Sequence, residues 1–218
     1  MSPEKEKRML ELMERYKNNM REIKERMSII QAMEECHSKQ KLFTGLIEID
    51  IDLLYLQLRK INEVIMFSCV IASEAAEKQL NADLRRGWEL NKIKRSLERL
   101  NQNYFPYPVK VVNTEDGGCK IEKYDKDDRV YLTEDELFDI YKDASNYVHA
   151  KRSYQYGSKE ERFRILHKGF EHASKITRLL SHHWLPINDS LEYAVIMEYG
   201  DKKDIQVILM EREGEKIK

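Results

Sequence analysis

Apolar positions change period several times along this chain, and each change marks an element. Met9, Met13, Tyr16, Met20, Ile23, Met27 and Ile30 recur at intervals of 4, 3, 4, 3, 4 and 3. That is an a/d seam three heptads long. No glycine or proline follows Pro3 before residue 40, so the pattern predicts one long, coiled-coil-like helix over residues 1–40. The rest of each turn is Glu, Lys, Arg and Asn. A seam this narrow fits a single partner helix, which makes Met13, Tyr16, Met20, Ile23, Met27 and Ile30 the candidate oligomerisation surface. Its methionines give adaptable packing.

A second helix is predicted from about 43 to 79. Ile47, Ile51, Leu54, Leu58, Ile61 and Ile65 fall on one line, and Ile49, Leu53, Leu56, Phe67 and Val70 are expected to widen the buried face. Glu48, Asp52, Tyr55, Arg59 and Glu63 share about one third of the circumference. Arg59 and Glu63 stand at i, i+4. This strip is either a solvated face with one ion pair or a polar groove built on Asp52, Arg59 and Glu63.

A third helix, about 82 to 101, carries Trp88, Ile93, Leu97 and Leu100, with Gly87 weakening its start. Two prolines in 103-NYFPYP-108 impose extended backbone. Two β-prone runs then flank Asp116-Gly117-Gly118, a hairpin over 109–124. Thr133 with Glu136 is a capping box opening the next helix, whose apolar line is Leu137, Ile140, Tyr141, Ala144 and Val148. A last helix is predicted over 159–184, with Phe163, Leu166, Phe170, Ala173, Thr177, Leu180 and Trp184 on one face and Pro186 ending it. Two strand-like runs around Gly200-Asp201 make a second hairpin, 191–212. The expected fold is mainly α: a bundle of about four core helices within 41–218, two small β-hairpins free to pair into one sheet, and the N-terminal heptad helix of 1–40.

Composition narrows the partners. Lysine and arginine number 38 against 39 acidic residues, a net charge of −1, so no global field draws in nucleic acid or an anionic membrane. Any RNA contact must be a local patch. The most apolar stretch, 43–72, is interrupted by six charges, too many for a membrane span. The N-terminus has no apolar signal-peptide core. Cys36, Cys69 and Cys119 share no short spacing, which points away from a disulfide framework and toward a reducing cytoplasm.

Glycine-rich phosphate loops, His-Glu-x-x-His, Gly-x-Ser-x-Gly and Cys-x-x-Cys are all absent from the sequence. His167 and His172 are five apart, outside the i, i+3 or i, i+4 spacing of a helical metal pair, so neither a metal nor another cofactor is expected. His182 and His183 fit a helix C-terminus, where they complement the dipole. One stretch remains, 133-TEDELFDIYKDASNYVHAKRSY-154. At 100° per residue His149 lies about 20° from Lys142 and Ser145 about 40° from His149, a polar strip beside the buried line. Lys151 and Arg152 follow. An imidazole titrating near neutrality, with cations to steady anionic charge, suits metal-free RNA cleavage. The same residues also suit a helix end stabilised by cations.

This stretch, following a hydrophobic helix like 53-LLYLQLRKINEVIMFSCVIA-72, resembles the HEPN domains of bacterial toxin and antiviral phage-defence proteins, over about residues 43–184. The resemblance implies a helical bundle whose ribonuclease members carry an arginine, four to six residues, then a histidine, at a dimer interface. His149 maps onto the histidine, and Lys142 stands at the arginine position; lysine lacks the planar fork that grips a phosphate twice. Two expectations follow. One is a non-catalytic interaction protein, a homodimer or the partner of another helical protein. The other is a metal-independent ribonuclease with His149 as acid/base, Lys142 beside it, and Lys151 and Arg152 on phosphate.

Overall fold

The computed structural model describes residues 3–76, 89–113, 119–124, 130–148, 157–200 and 203–211. Among them the chain is mainly α, with helices α1 (Pro3–Ser38), α2 (Ile47–Ala75), α3 (Leu90–Leu100), α4 (Glu134–Val148) and α5 (Lys159–Leu180). The strands are β1 (Tyr107–Asn113), β2 (Cys119–Lys123), β3 (His182–Pro186), β4 (Leu191–Tyr199) and β5 (Asp204–Glu211). The expected start of α3 with Gly87 and Trp88, the turn Asp116-Gly117-Gly118, Asp201, and His149, Lys151 and Arg152 lie outside the described residues.

Both hairpins are present and antiparallel, β1 on β2 from Val109↔Lys123 to Asn113↔Cys119, and β4 on β5 from Leu191↔Glu211 to Tyr199↔Asp204. They belong to one sheet of order β2-β1-β3-β4-β5, joined by β3. Here the predicted 159–184 helix is corrected: α5 stops at Leu180, and His182–Pro186 is a strand holding Trp184. As a strand, this segment pairs its backbone with β1 and β4, whose facing groups would otherwise be unpaired. His182 and His183 are therefore not helix-end dipole partners.

The chain divides into two compact units. The first comprises residues 1–21, 65–128 and 178–218, and the second 22–64 and 129–177. The boundaries of these units cut through α1 and α2.

The first unit holds the sheet, α3, the start of α1 and the end of α2. Tyr16 is buried against Tyr193, ring centroids 5.4 Å apart, and its hydroxyl donates to His183 Nε2 at 2.7 Å. Asn19 donates to Ser68, and Arg15 pairs with Glu74, tying α1 to α2. Asn101 at the end of α3 donates to the carbonyl of Pro186.

The second unit is built from the remaining parts of α1 and α2 with α4 and α5. Ile51, Leu54, Leu58 and Ile61 are fully buried, as expected for the first α2 line. Leu137, Ile140 and Ala144 of α4 and Leu166, Ala173 and Ile176 of α5 complete this core. Gly169 lets α5 approach α2 closely, since a Cβ there would lie 2.5 Å from Leu54 Cδ2. Thr133 and Glu136 form the predicted capping box, with Thr133 N–H donating to Glu136 Oε2 at 3.0 Å and Glu136 N–H to Thr133 Oγ1 at 3.3 Å. Ser158 and Glu161 repeat the device at the start of α5.

Two apolar lines change roles relative to the sequence reading. On α1, Met9, Tyr16, Met20, Ile23 and Ile30 are buried within the chain, with Met13 and Met27 half-buried. Each full burial of such a side chain is worth about 1.5–3 kcal/mol, so this seam serves the chain's own core and is not left open for oligomerisation. On α2, Ile49 is 48% and Leu56 36% exposed, while Leu53, Phe67 and Val70 are half-buried. That second line does not widen the core.

Candidate functional site

The second unit gathers polar residues where α2 faces α4. The Leu137, Ile140, Ala144 line buries one side of α4 and leaves Tyr141 and Ser145 at its margin and Lys142 exposed. Asn62, buried on α2, donates to the carbonyl of Leu137 at 3.1 Å, which pins the two helices beside the margin. Among the described residues, Asn62 Oδ1 has no hydrogen-bond partner.

Arg59 reaches across from α2. Its Nη1 donates to Ser145 Oγ and its Nη2 to the Tyr141 hydroxyl, both at 3.2 Å, and its Nε to Glu63 Oε1 at 3.3 Å. The guanidinium carbon lies 4.8 Å from the Tyr141 ring centroid, within cation–π range. Ser145 in turn donates to the carbonyl of Tyr141, and Lys60 pairs with the second oxygen of Glu63 at 2.8 Å. Three of the five guanidinium N–H groups are thus engaged, and the cluster of Arg59, Lys60 and Glu63 keeps one net positive charge. A guanidinium so held is a fixed donor with spare N–H groups, suited to a phosphate or a carboxylate.

Of the predicted groove, Arg59 and Glu63 come together. Asp52 lies two turns earlier, about 10 Å along the axis. Tyr55 leaves the polar strip altogether: it is buried, packs on Tyr147 with centroids 4.3 Å apart, and donates to the Ile165 carbonyl. Burial, reinforced by Tyr147 and Asp143, raises its phenol well above the ordinary value. Glu48 pairs with Arg162 of α5. At the start of α4, burial raises the Glu136 carboxyl, but Lys175 and the Thr133 amide outweigh that and hold it below the usual range.

Tyr141 is the participant that sequence reasoning missed. It stands on the apolar line by spacing, and only its hydroxyl, at the margin, betrays a polar role. The Arg59–Ser145 bond spans 86 positions, and neither local pattern hints at the other.

Two further pairings were illegible in the sequence. In the first unit, His183 is buried, accepting from Tyr16 and approaching the Leu180 carbonyl with Nδ1 at 2.8 Å. A carbonyl only accepts, so Nδ1 carries the proton and the ring is the neutral donor–acceptor tautomer. Desolvation lowers its pKa to about 4. In the second unit, His37 at the end of α1 meets His167 of α5, Nε2 to Nε2, at 3.2 Å.

No described helix is long and apolar enough to cross a membrane, and no group of three or more His, Cys, Asp or Glu is placed to hold a metal among the described residues. Compared with protein-family models, with curated proteins and with solved structures, the chain matches none, so the reading of its site rests on its own residues.

Proposed function

We propose that the chain is a non-catalytic, HEPN-like interaction protein of a bacterial defence or toxin-type system, and that its helical unit pairs with a second copy through the first half of α2. One observation carries the reading. Leu46, Ile49, Leu53 and Leu56 follow each other at spacings of 3, 4 and 3, and Leu46, Ile49 and Leu56 are 56%, 48% and 36% exposed. Scattered exposed apolar residues are ordinary, but Ile49, Leu53 and Leu56 in register on α2, with Leu46 just before it, line one side of the helix. Such a line meets its own copy across a two-fold axis without needing any other surface. The patch is held rigidly. Buried Asp50 accepts from the Phe43 and Thr44 amides at 2.9 Å and from the Thr44 hydroxyl at 2.7 Å, clamping the loop that presents exposed Phe43 and Leu46. In this reading the α1, α2, α4 and α5 segments form a four-helix core that supports the patch.

The test is mass in solution. Wild-type protein should run as a dimer by light scattering, and an Ile49→Glu/Leu56→Glu variant as a monomer with unchanged far-UV circular dichroism. Wild-type protein that stays monomeric at every concentration would remove the self-pairing and leave a different helical partner for the patch.

A second reading, a metal-independent ribonuclease, is favoured by Arg59. It brings a guanidinium to Ser145, four residues before His149, where the α4 sequence itself offers only Lys142. His149 would then be the acid/base, with Lys142, Lys151 and Arg152 on phosphate. Cleavage of single-stranded RNA in the presence of a chelator should drop about 10²–10⁴-fold in His149→Ala, and should fall in Arg59→Ala too. RNA left intact by the wild type ends this reading.

A further inference from the structure

We infer that His37 and His167 form an open two-histidine site for a first-row divalent transition metal such as Zn²⁺, Ni²⁺ or Co²⁺. The geometry is the primary argument. The two Nε2 atoms face each other at 3.2 Å, and the rings stand edge to face, interplanar angle 73°. With metal–nitrogen bonds of about 2.0–2.1 Å, this separation gives an N–metal–N angle of about 100°, between tetrahedral and octahedral values. Imidazole nitrogen is the ligand that zinc, nickel and cobalt share.

The placement is built into the fold. Phe163, His167 and Phe170 form one stripe on α5, and the two phenyl rings flank His37 with centroids 5.6 and 5.9 Å away. The backbone carrying His37 is fixed by the close of α1, where Gln40 takes a left-handed conformation and its N–H donates to the His37 carbonyl at 2.9 Å. Neither imidazole has another hydrogen-bond partner among the described residues. As a hydrogen bond, 3.2 Å is at the long end of the N–H donor range, so the contact as it stands contributes little. On binding, the ring that donates in the pair moves its proton to Nδ1, and both Nε2 lone pairs turn to the metal. With only two protein ligands, water or an exogenous donor fills the other positions.

Full-length protein is titrated with Zn²⁺, Ni²⁺ and Co²⁺ by calorimetry, with thermal unfolding followed in parallel. One ion per chain should bind and raise the unfolding temperature, and EDTA should reverse both. His37→Ala and His167→Ala should each weaken binding by about tenfold or more, while His172→Ala and His182→Ala should leave it unchanged. Should an alanine variant fail to fold, Co²⁺ added to wild-type protein settles the point by NMR, because two imidazoles should show contact-shifted resonances. Absence of binding at millimolar metal, undiminished binding in both alanine variants, or contact shifts on any other histidine would overturn the site.

Discussion

Two apolar lines in this molecule obey the same 3-and-4 spacing and end in opposite environments. The α1 line, from Met9 through Tyr16, Met20 and Ile23 to Ile30, is buried inside the chain. Leu46 and the α2 residues Ile49, Leu53 and Leu56 stay partly in solvent, with Leu46 56% and Ile49 48% exposed. Heptad spacing therefore says which residues share a face of a helix, and nothing about what covers that face. The flanking residues mislead as well: the α1 line sits among charges and reads as a surface seam, while the α2 line sits in the most apolar stretch and reads as core. Polar clusters divide in the same way. His183 with Tyr16 is sealed in the first unit, whereas Arg59 with Glu63, Tyr141 and Ser145 in the second is only partly covered.

The sharpest way to break the comparison is to put a charge on the buried line. Ile23→Glu strands a carboxylate in the core and should cost more than about 4 kcal/mol, read as loss of the cooperative urea transition. A folded variant with altered mass would return α1 to the role of an assembly surface.

Next in size is the pH dependence of the sealed cluster. The His183 pKa is lowered from 6.5 to about 4 in the folded state. Between these values the unfolded chain binds a proton that the folded chain does not, so stability is full above pH 6.5 and is lost as pH falls toward 4. The loss over that window should be about 3 kcal/mol. His37 and His172, also lowered, add in the same sense. Urea midpoints that stay constant from pH 7 to 4.5 would show that His183 is not held neutral.

Arg59→Ala should cost less, about 1–2 kcal/mol, because the lost bonds are charge-assisted yet the guanidinium is a quarter exposed. Lys60 still holds Glu63, and Ser145 still donates to the Tyr141 carbonyl. A loss as large as that of Ile23→Glu would mean the cluster is as sealed as that of His183. Smallest of all is the effect of Ile49→Ala or Leu56→Ala on the stability of the isolated chain, within about 0.5 kcal/mol, set against a measurable fall in dimer affinity by sedimentation. A large loss of monomer stability would place this line in the core after all.

What could be read from the residues was whatever neighbours in sequence decide. The 4–3 rhythm and missing glycines drew α1, Ile47 through Ile61 drew the buried side of α2, the Thr133–Glu136 box opened α4 at the right residue, and the two β-prone pairs became β1–β2 and β4–β5. The i, i+4 pair Arg59–Glu63 was legible for the same reason. Where sequence reading failed, the deciding partner was far away. His182–Pro186 becomes a strand only because β1 and β4 offer backbone groups to pair with it. Tyr16 meets His183, Arg59 meets Ser145, and His37 meets His167 across 167, 86 and 130 positions. Hydrogen bonding within a helix and side-chain periodicity are local, so the sequence by itself determined the elements and which residues share a face. Burial and polar pairing depend on which face arrives opposite, and only the tertiary structure decided that the α1 seam is core, the α2 line stays partly exposed, and the His37 and His167 imidazoles meet.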